Sequence, residues 1–462
     1  MKCIIDSKIH IDKSSVPEDW LYKIKEKITY ENPEYRSRRR YDYYTGNTDA
    51  TIKGFTETTS TLTVPRGILG YLRSYSSKMH YPLEIIDNQL SFITDLNTSM
   101  QLKLRAYQFD AYSNFRGSKQ GVVVVPCGGG KTVIALKTIH RLQQSTLIIV
   151  HTHDLLTQWV DNIKKHLKVN DVGIISGFEK NVLDITVATI QSLNNYDLDE
   201  IKDRFGFIIL DEAHHVPATT FRKVINHFPA KYRLGLSATP FREDGLDEML
   251  FDTMGEIAYE IDYPRLISGG YLIEPTYTEI PTEFNYSPTK VTKTGRVILD
   301  WHRMTQRLIN DVDRGEVIIS QIRYAHKKGE LGLVLSGRIG HLEYFYRIMK
   351  EYDYKCELLV GSTPKEKRKQ ILDDAKAGKV DLLFSANISD EGLDLPNLNT
   401  VYLTYPNKSE AKVIQRIGRI LRPFPGKTTA QIFDFVDSKV GVLKRQADKR
   451  QKIITKTFWR KQ

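Results

Sequence analysis

Short apolar runs bounded by turn residues recur along the chain and set its plan. Gly121-Val122-Val123-Val124-Val125, Leu147-Ile148-Ile149-Val150, Phe207-Ile208-Ile209-Leu210 and Leu331-Gly332-Leu333-Val334-Leu335 are short and unbroken by polar positions. Such runs fit strands buried on both faces, which is the condition of a parallel sheet. Stretches of helical character lie between them, beginning for example at Thr132-Val133-Ile134-Ala135-Leu136-Lys137. This βα rhythm predicts an α/β fold of parallel sheets flanked by helices. The rhythm occupies 101–261, pauses over a bridge at 262–329 with a Pro/Thr-rich section from Pro281 to Gly295, and resumes at 330–438. Ahead of it, 1–100 is rich in Tyr, Arg, Thr and Lys and is expected to form a small α+β domain. Behind it, 439–462 is a basic tail in which nine Lys/Arg face one acid, Asp448.

Composition narrows the picture. At 462 residues, with 40% hydrophobic and 27% charged residues, there is material for two to four cored domains. The formal charge is +11 and the isoelectric point about 9.2, which suits a polyanionic partner. Cys3, Cys127 and Cys356 are the only cysteines, which excludes a disulfide framework and a cysteine-based zinc site. No apolar run approaches the roughly 20 residues of a membrane-spanning helix. Met1-Lys2-Cys3-Ile4-Ile5-Asp6 has no signal-peptide apolar region, so a cytoplasmic setting is expected.

Five stretches carry chemistry. Pro126, Cys127, Gly128, Gly129 and Gly130 break the first apolar run, and Lys131 and Thr132 open a helix. A strand, a glycine turn and a helix N-terminus together present backbone N–H groups and the positive end of the helix dipole to an anion. Lys131 would reach nucleotide β- and γ-phosphates and the Thr132 hydroxyl would ligate Mg2+. Asp211 and Glu212 end a second strand, at the sheet edge where ligands bind. Asp211 suits the Mg2+ shell and Glu212 the polarisation of an attacking water. Ser237, Ala238 and Thr239 follow, then Glu391-Gly392-Leu393-Asp394, then Gln415-Arg416-Ile417-Gly418-Arg419-Ile420-Leu421-Arg422. Arginines every three residues share one helix face. They are either arginine fingers, Arg419 and Arg422, that offset charge on a transferring phosphoryl group, or a solvated basic helix.

In this order the set resembles the superfamily 2 DNA helicases over about Leu104 to Arg422. Gly-Gly-Gly-Lys, the Asp-Glu-Ala-His box and Arg242-Glu243-Asp244 resemble the XPB/Rad25-like branch, in which an Arg-Glu-Asp element is associated with DNA unwinding. Compact length and a tyrosine-rich N-terminal region resemble the UvsW-type branched-DNA helicases of tailed phages. The resemblance implies two tandem RecA-like lobes, ATP and Mg2+ as cofactors, and a motor on branched or duplex DNA that reads structure rather than sequence. It further implies a monomer moving 3′ to 5′, in the host cytoplasm where phage-encoded, that regresses forks, migrates Holliday junctions or unwinds R-loops.

The same resemblance assigns residues. Arg105 and Gln108 would contact the adenine side of ATP, and Gly392 and Asp394 would lie near the nucleotide. Lys131, Asp211, Glu212, Gln415, Arg419 and Arg422 would carry catalysis, and Ser237, Ala238 and Thr239 would couple ATP state to lobe closure. Thr189, Gln191, Arg242 and Asn387 would meet the DNA backbone. His151 to Trp159 stands where relatives have a backbone-binding loop and helix, with Trp159 either stacking on a base or packing in the core. Arg38, Arg39 and Arg40, interleaved with tyrosines, suit phosphate pairing with base stacking, or else a solvated loop. An RNA helicase, a motor subunit of a restriction-type complex and a non-catalytic scaffold are the rival readings; intact Lys131, Asp211, Glu212, Arg419 and Arg422 oppose the last.

Overall fold

A computed structural model describes residues 2–40, 43–215, 219–239, 245–291, 295, 297–386, 395–406, 414 and 417–459. The chain divides into two compact units, one formed by Met1–Pro126 with Gly130–Ile261, the other by Cys127–Gly129 with Asp262–Gln462. Both contain the parallel α/β sheet that the apolar runs predict, and the fold is that of two RecA-like sheets with an α+β N-terminal domain.

In the first unit the N-terminal domain is a five-stranded sheet. Lys8–Asp12 pairs antiparallel with Lys2–Ile5 and Thr61–Pro65, while Glu84–Asp87 joins parallel to Lys2–Ile5. Alternate residues of these strands turn inward, as period-two alternation requires of a sheet with one covered face. Ile9, Ile11, Leu62 and Val64 meet Trp20 and Ile24 of helix Glu18–Lys27 and Leu72 of helix Leu69–Lys78.

The larger sheet of this unit has eight strands. In order across the sheet they are Lys180–Asn181, Gly173–Ile175, Ile185–Thr189, Thr146–Val150, Phe207–Leu210, Tyr232–Ser237, Gln120–Val124 and Ile257–Glu260. All pairings are parallel except the outermost, Lys180–Asn181. The strand before the glycine turn and the strand before Asp211 are therefore not neighbours. The strand ending in Ser237 lies between them.

Two buried arginines bolt the N-terminal domain to this sheet. Arg66 donates to Gln120 Oε1 at 2.8 Å and to the carbonyls of Asp6, Ala230 and Lys231. Arg233 donates to the carbonyls of Ser7 and Phe228, both at 2.7 Å. Helix Asp247–Met254 completes the joint, because Leu246 and Met249 enter the N-terminal core and Tyr30 donates to Asp252 Oδ2 at 2.5 Å.

The second unit holds a fully parallel six-stranded sheet, in the order Thr276–Pro281, Gln431–Val436, Leu398–Leu403, Leu331–Leu335, Leu382–Ser385 and Cys356–Leu359. The segment read as a bridge is built into this unit. Thr276–Pro281 is an edge strand of the sheet, and helix Val312–Ala325 is anchored by Arg314, which grips Asp437 at 2.7 and 3.2 Å and the Thr404 carbonyl at 2.9 Å. The basic tail is largely the helix Gly441–Phe458. No described helix is long and apolar enough to cross a membrane.

Removing the Arg66 guanidinium leaves three carbonyls and an amide oxygen without their buried donor. Arg66→Ala is expected to cost about 3 kcal/mol of stability, read from urea unfolding of the full chain; a loss below about 1 kcal/mol would contradict the bolt. His341 gives a pH signature. Burial, aided by the charge of Arg314, holds its imidazole down at about 3, with Nδ1 2.9 Å from Ser336 Oγ. An unfolded histidine titrates near 6.5, so below that pH the unfolded state takes up a proton that the folded state refuses. This contribution to stability is intact above about pH 6.5 and is lost as the pH falls toward 3. In urea unfolding between pH 7 and 5, His341→Gln is expected to flatten the decline by up to one proton.

Candidate functional site

The loops that follow five parallel strands meet at one sheet edge, and the candidate site is built there. The strand Gln120–Val124 runs into a turn whose Gly128 and Gly130 have φ of 86° and 80°, backbone that glycine adopts without strain. At Gly130 a Cβ would also fall 2.5 Å from Gln108 Nε2, so a side chain there would have to displace the Gln108 amide. Gln108 is buried beside the turn, and its Oε1 accepts the Arg105 backbone N–H at 3.0 Å; Arg105 reaches the Tyr107 hydroxyl at 3.3 Å. Lys131 and Thr132 are the first residues of helix Lys131–Leu142, and both are half-buried.

Lys131 Nζ lies 3.3 Å from Glu212 Oε1, with side-chain exposures of only 11% and 13%. Glu212 sits at φ +50°, a left-handed conformation that costs a residue with a Cβ about 1 kcal/mol or more. Asp211 Oδ1 accepts the Glu212 backbone N–H at 3.0 Å, and Asp211 Oδ2 accepts the Trp159 indole N–H at 2.8 Å. Burial, then the adjacent Glu212 charge, pushes Asp211 up to about 6, against the pull of Lys131 and the indole N–H. Burial opposes ionisation of Glu212 as well, but Lys131 and His214 outweigh it and hold this carboxyl below its usual range.

These residues suit a magnesium nucleotide. The turn's Gly128 and Gly130 adopt left-handed backbone just ahead of a helix N-terminus, an arrangement that suits an anion, a half-buried ammonium is present to meet phosphate, and Asp211 and the Thr132 hydroxyl are hard oxygen ligands. Among the described residues no group of three His, Cys, Asp or Glu could hold a metal. A divalent ion here would therefore need oxygens from water and phosphate, the normal state of Mg2+ in nucleotide sites.

Sequence reasoning left the role of Trp159 open. It is 2% exposed, which rules out stacking on a base in this conformation, and its polar edge serves Asp211. Trp159 belongs to helix His153–Leu167, capped by Thr152, whose Oγ1 accepts the Leu155 N–H at 3.3 Å. The amphipathic pattern was compatible with a packed Trp159, but a partner 52 residues away leaves no local signal. An imidazole ladder was also missed. The His151 ring lies 4.6 Å from that of His215, which is 4.3 Å from His214, and His214 Nδ1 is 3.5 Å from Glu212 Oε2.

The other sequence candidates are placed as follows. Thr189 caps helix Ile190–Asn194, its hydroxyl engaged with Ser192, and Gln191 donates to the His151 carbonyl at 3.0 Å. Ser237 donates to the Thr239 carbonyl at 2.9 Å, so its hydroxyl is spent within its own turn; Ala238 is buried. Arg38 is held by Glu34 at 2.8 Å and by the Tyr44 carbonyl at 3.1 Å, whereas Arg39 and Arg40 are exposed on helix Pro33–Arg40. In the second unit Arg419 lies in helical backbone and Arg422 just beyond it, both half-buried. Arg242, Asn387, Gly392, Asp394 and Gln415 lie outside the described residues.

Two family models match the chain. The one described as "Type III restriction enzyme, res subunit" covers residues 101–242, and the "Helicase conserved C-terminal domain" covers 314–423. The chain is 28% identical to the DNA 3'-5' translocase XPB2 of Sulfurisphaera tokodaii over 74% of its own length and 83% of that protein. It is also 28% identical to the DNA 3'-5' helicase XPB of Kineococcus radiotolerans, over 72% of its own length but only 59% of that longer relative. Among solved structures, the ATP-dependent Type ISP restriction-modification enzyme LlaBIII bound to DNA has the same fold over 78% of this chain and 30% of that one, at 17% identity and a TM-score of 0.58. T4 UvsW aligns over 99% of this chain and 98% of its own, at 18% identity and a TM-score of 0.44.

Trp159→Phe keeps the packing and deletes the N–H on Asp211. It is expected to raise the Mg2+ concentration for half-maximal ATP hydrolysis about tenfold, the usual effect of losing an outer-sphere hydrogen bond, with the thermal unfolding midpoint little changed. An unaltered Mg2+ requirement would show that the bond does not position Asp211.

Proposed function

The chain belongs to the superfamily 2 helicases, and on that footing we propose that it is an ATP-driven motor that remodels branched DNA. The observation that carries this reading is the half-buried Lys131–Glu212 pair, 3.3 Å apart, with Asp211 beside it. A lysine at the head of a helix, two carboxylates and a glycine turn are the parts phosphoryl transfer to water requires.

The roles follow from the chemistry of each group. The glycine turn from Pro126 to Gly130 and Lys131 bind the phosphates, while Arg105 and Gln108 flank the base. Thr132 and Asp211 would hold Mg2+, which when bound neutralises phosphate charge. While Lys131 rests on Glu212, that carboxylate is stabilised as the anion and is a weak base. A phosphate that draws Lys131 away removes the stabilisation and raises the proton affinity of Glu212, so Glu212 becomes competent as the nucleotide arrives. Arg419 and Arg422 would offset the charge that develops on the transferring group, and Gln415, Gly392 and Asp394, which lie outside the described residues, would also serve the nucleotide. Ser237, Ala238 and Thr239 couple nucleotide state to motion.

DNA is engaged through loops that touch sugar and phosphate and carry no sequence information. Thr189, Gln191, Arg242 and Asn387 serve there, with exposed Arg39 and Arg40 as an N-terminal arm and Arg38 bracing the loop behind it. A net charge of +11 supports a nucleic-acid partner. The protein acts as a monomer in the cytoplasm, selecting forks and junctions by shape, with functional divisions at 1–100, 101–261 and 330–438, and with 262–329 and 439–462 built into the unit that holds the last.

ATP hydrolysis by the chain and by Glu212→Gln, without nucleic acid and with single-stranded, forked, Holliday-junction DNA or RNA, tests the proposal. Stimulation greatest with branched DNA, and at least about 100-fold lower in Glu212→Gln, is expected. Stimulation by RNA alone would replace DNA with RNA as substrate, and none by any nucleic acid would overturn the motor reading.

A further inference from the structure

The helix Gly441–Phe458 has two faces of opposite character. Leu443, Ala447, Arg450, Ile453, Ile454 and Phe458 are buried, and at about 100° per residue they share one arc of roughly 140°. Arg445, Lys449, Lys452 and Lys456 are exposed and fall within roughly 60° on the opposite side. The buried face is fixed firmly. Arg450 grips Asp434 through Nε at 2.9 Å and Nη2 at 2.7 Å, Tyr277 donates to the same carboxylate at 2.9 Å, and the Phe458 ring meets Tyr263 at 4.6 Å.

The exposed face is unspent. None of the four cations forms an ion pair or side-chain hydrogen bond among the described residues, and Asp448 is the only acid on the helix. The four charges are thus held along one exposed helix face, without a partner among the described residues.

We propose that this stripe is a docking ridge for duplex DNA, gripping the phosphates of one strand. The inference rests on the reading of the chain as a DNA motor and adds a contact surface to it. Arg445 to Lys456 spans about 16 Å at 1.5 Å per residue, over which one strand of a duplex presents about five phosphates. Four cations against about five phosphates is a close match in length and sign. Single strands are the weaker fit, because they are held on aromatic platforms and the exposed neighbours along the stripe are Asp448, Gln451 and Thr455. Lysines dominate, which suits diffuse attraction to backbone rather than reading of bases.

The test uses the full chain and a variant carrying Arg445→Gln, Lys449→Gln, Lys452→Gln and Lys456→Gln. Binding to a fluorescent duplex and to a single strand of equal length is measured without nucleotide between about 50 and 200 mM salt. For the duplex, the slope of log affinity against log salt is expected to become shallower by about 3.6, from a loss of about 0.9 for each of the four phosphate contacts. The single-strand slope should change by less than about 1, and hydrolysis without DNA and the thermal midpoint should hold. A duplex slope that shallows by less than about 2, or a greater change on the single strand, overturns the ridge. Failure of the motor reading would look different: the unsubstituted chain would show no DNA-stimulated hydrolysis, whatever the slopes.

Discussion

Parallel strands deliver their carboxyl ends, and every loop that follows, to one edge of a sheet, and the candidate site depends on that constraint. Val124 is level with Ser237, Thr189 with Val150, and Leu210 with Ile149. The glycine turn, the His151 loop, the Thr189 cap, the Asp211-Glu212 pair and the Ser237 turn are therefore neighbours although long stretches of sequence separate them. Charge then has to be managed at this edge, because the strands behind it are fully buried. Lys131 and Glu212 meet, and Asp211 takes the one indole N–H within reach. Glu212 accepts a left-handed backbone to stay there.

The same sheet also fixes what is attached to it. The strand that ends in Ser237 carries Arg233 near its start, which reaches the carbonyl of Ser7 in the N-terminal domain. The chain then continues to Leu246 and Met249, which are members of the N-terminal core. Domain and sheet thus share side chains from one stretch of sequence, and Arg66 closes the joint from the other side by satisfying carbonyls of Ala230 and Lys231. Any displacement of the strand Tyr232–Ser237 would have to break buried hydrogen bonds or carry the N-terminal domain with it.

Much of this could be read in the residues. Unbroken β-branched runs named the parallel strands, and glycines before a lysine located the turn. What the sequence concealed was pairing at long range. Trp159 presented only an amphipathic period, so packing and stacking stayed open until its N–H was found on Asp211. Thr276–Pro281 lacks an apolar run because it is an edge strand with no fully buried residue, and its Pro/Thr-rich surroundings advertised only the absence of helix. Arg38 is a partial exception, since its partner Glu34 lies four residues back on the same helix and that spacing was visible.

Net charge is a poor guide until burial divides it. Arg66, Arg233, Arg314 and Arg450 are all buried and each is spent on carbonyls or a carboxylate within the protein. The planar guanidinium can satisfy several acceptors at once and keeps its charge under desolvation, even where burial pushes it down to about 9 at Arg233. Lysine does this badly. Among the described residues Lys427 is the one buried example, and burial brings it down to about 7 while it donates to the carbonyls of Pro396 and Arg422. Structural positive charge in this chain is therefore arginine and inward, while helix Gly441–Phe458 presents mostly lysine outward. A count of cations treats the two alike, yet the outward set is the one that can pair directly with a polyanion, because the inward guanidiniums are buried and engaged by carbonyls or carboxylates of the fold that they hold together.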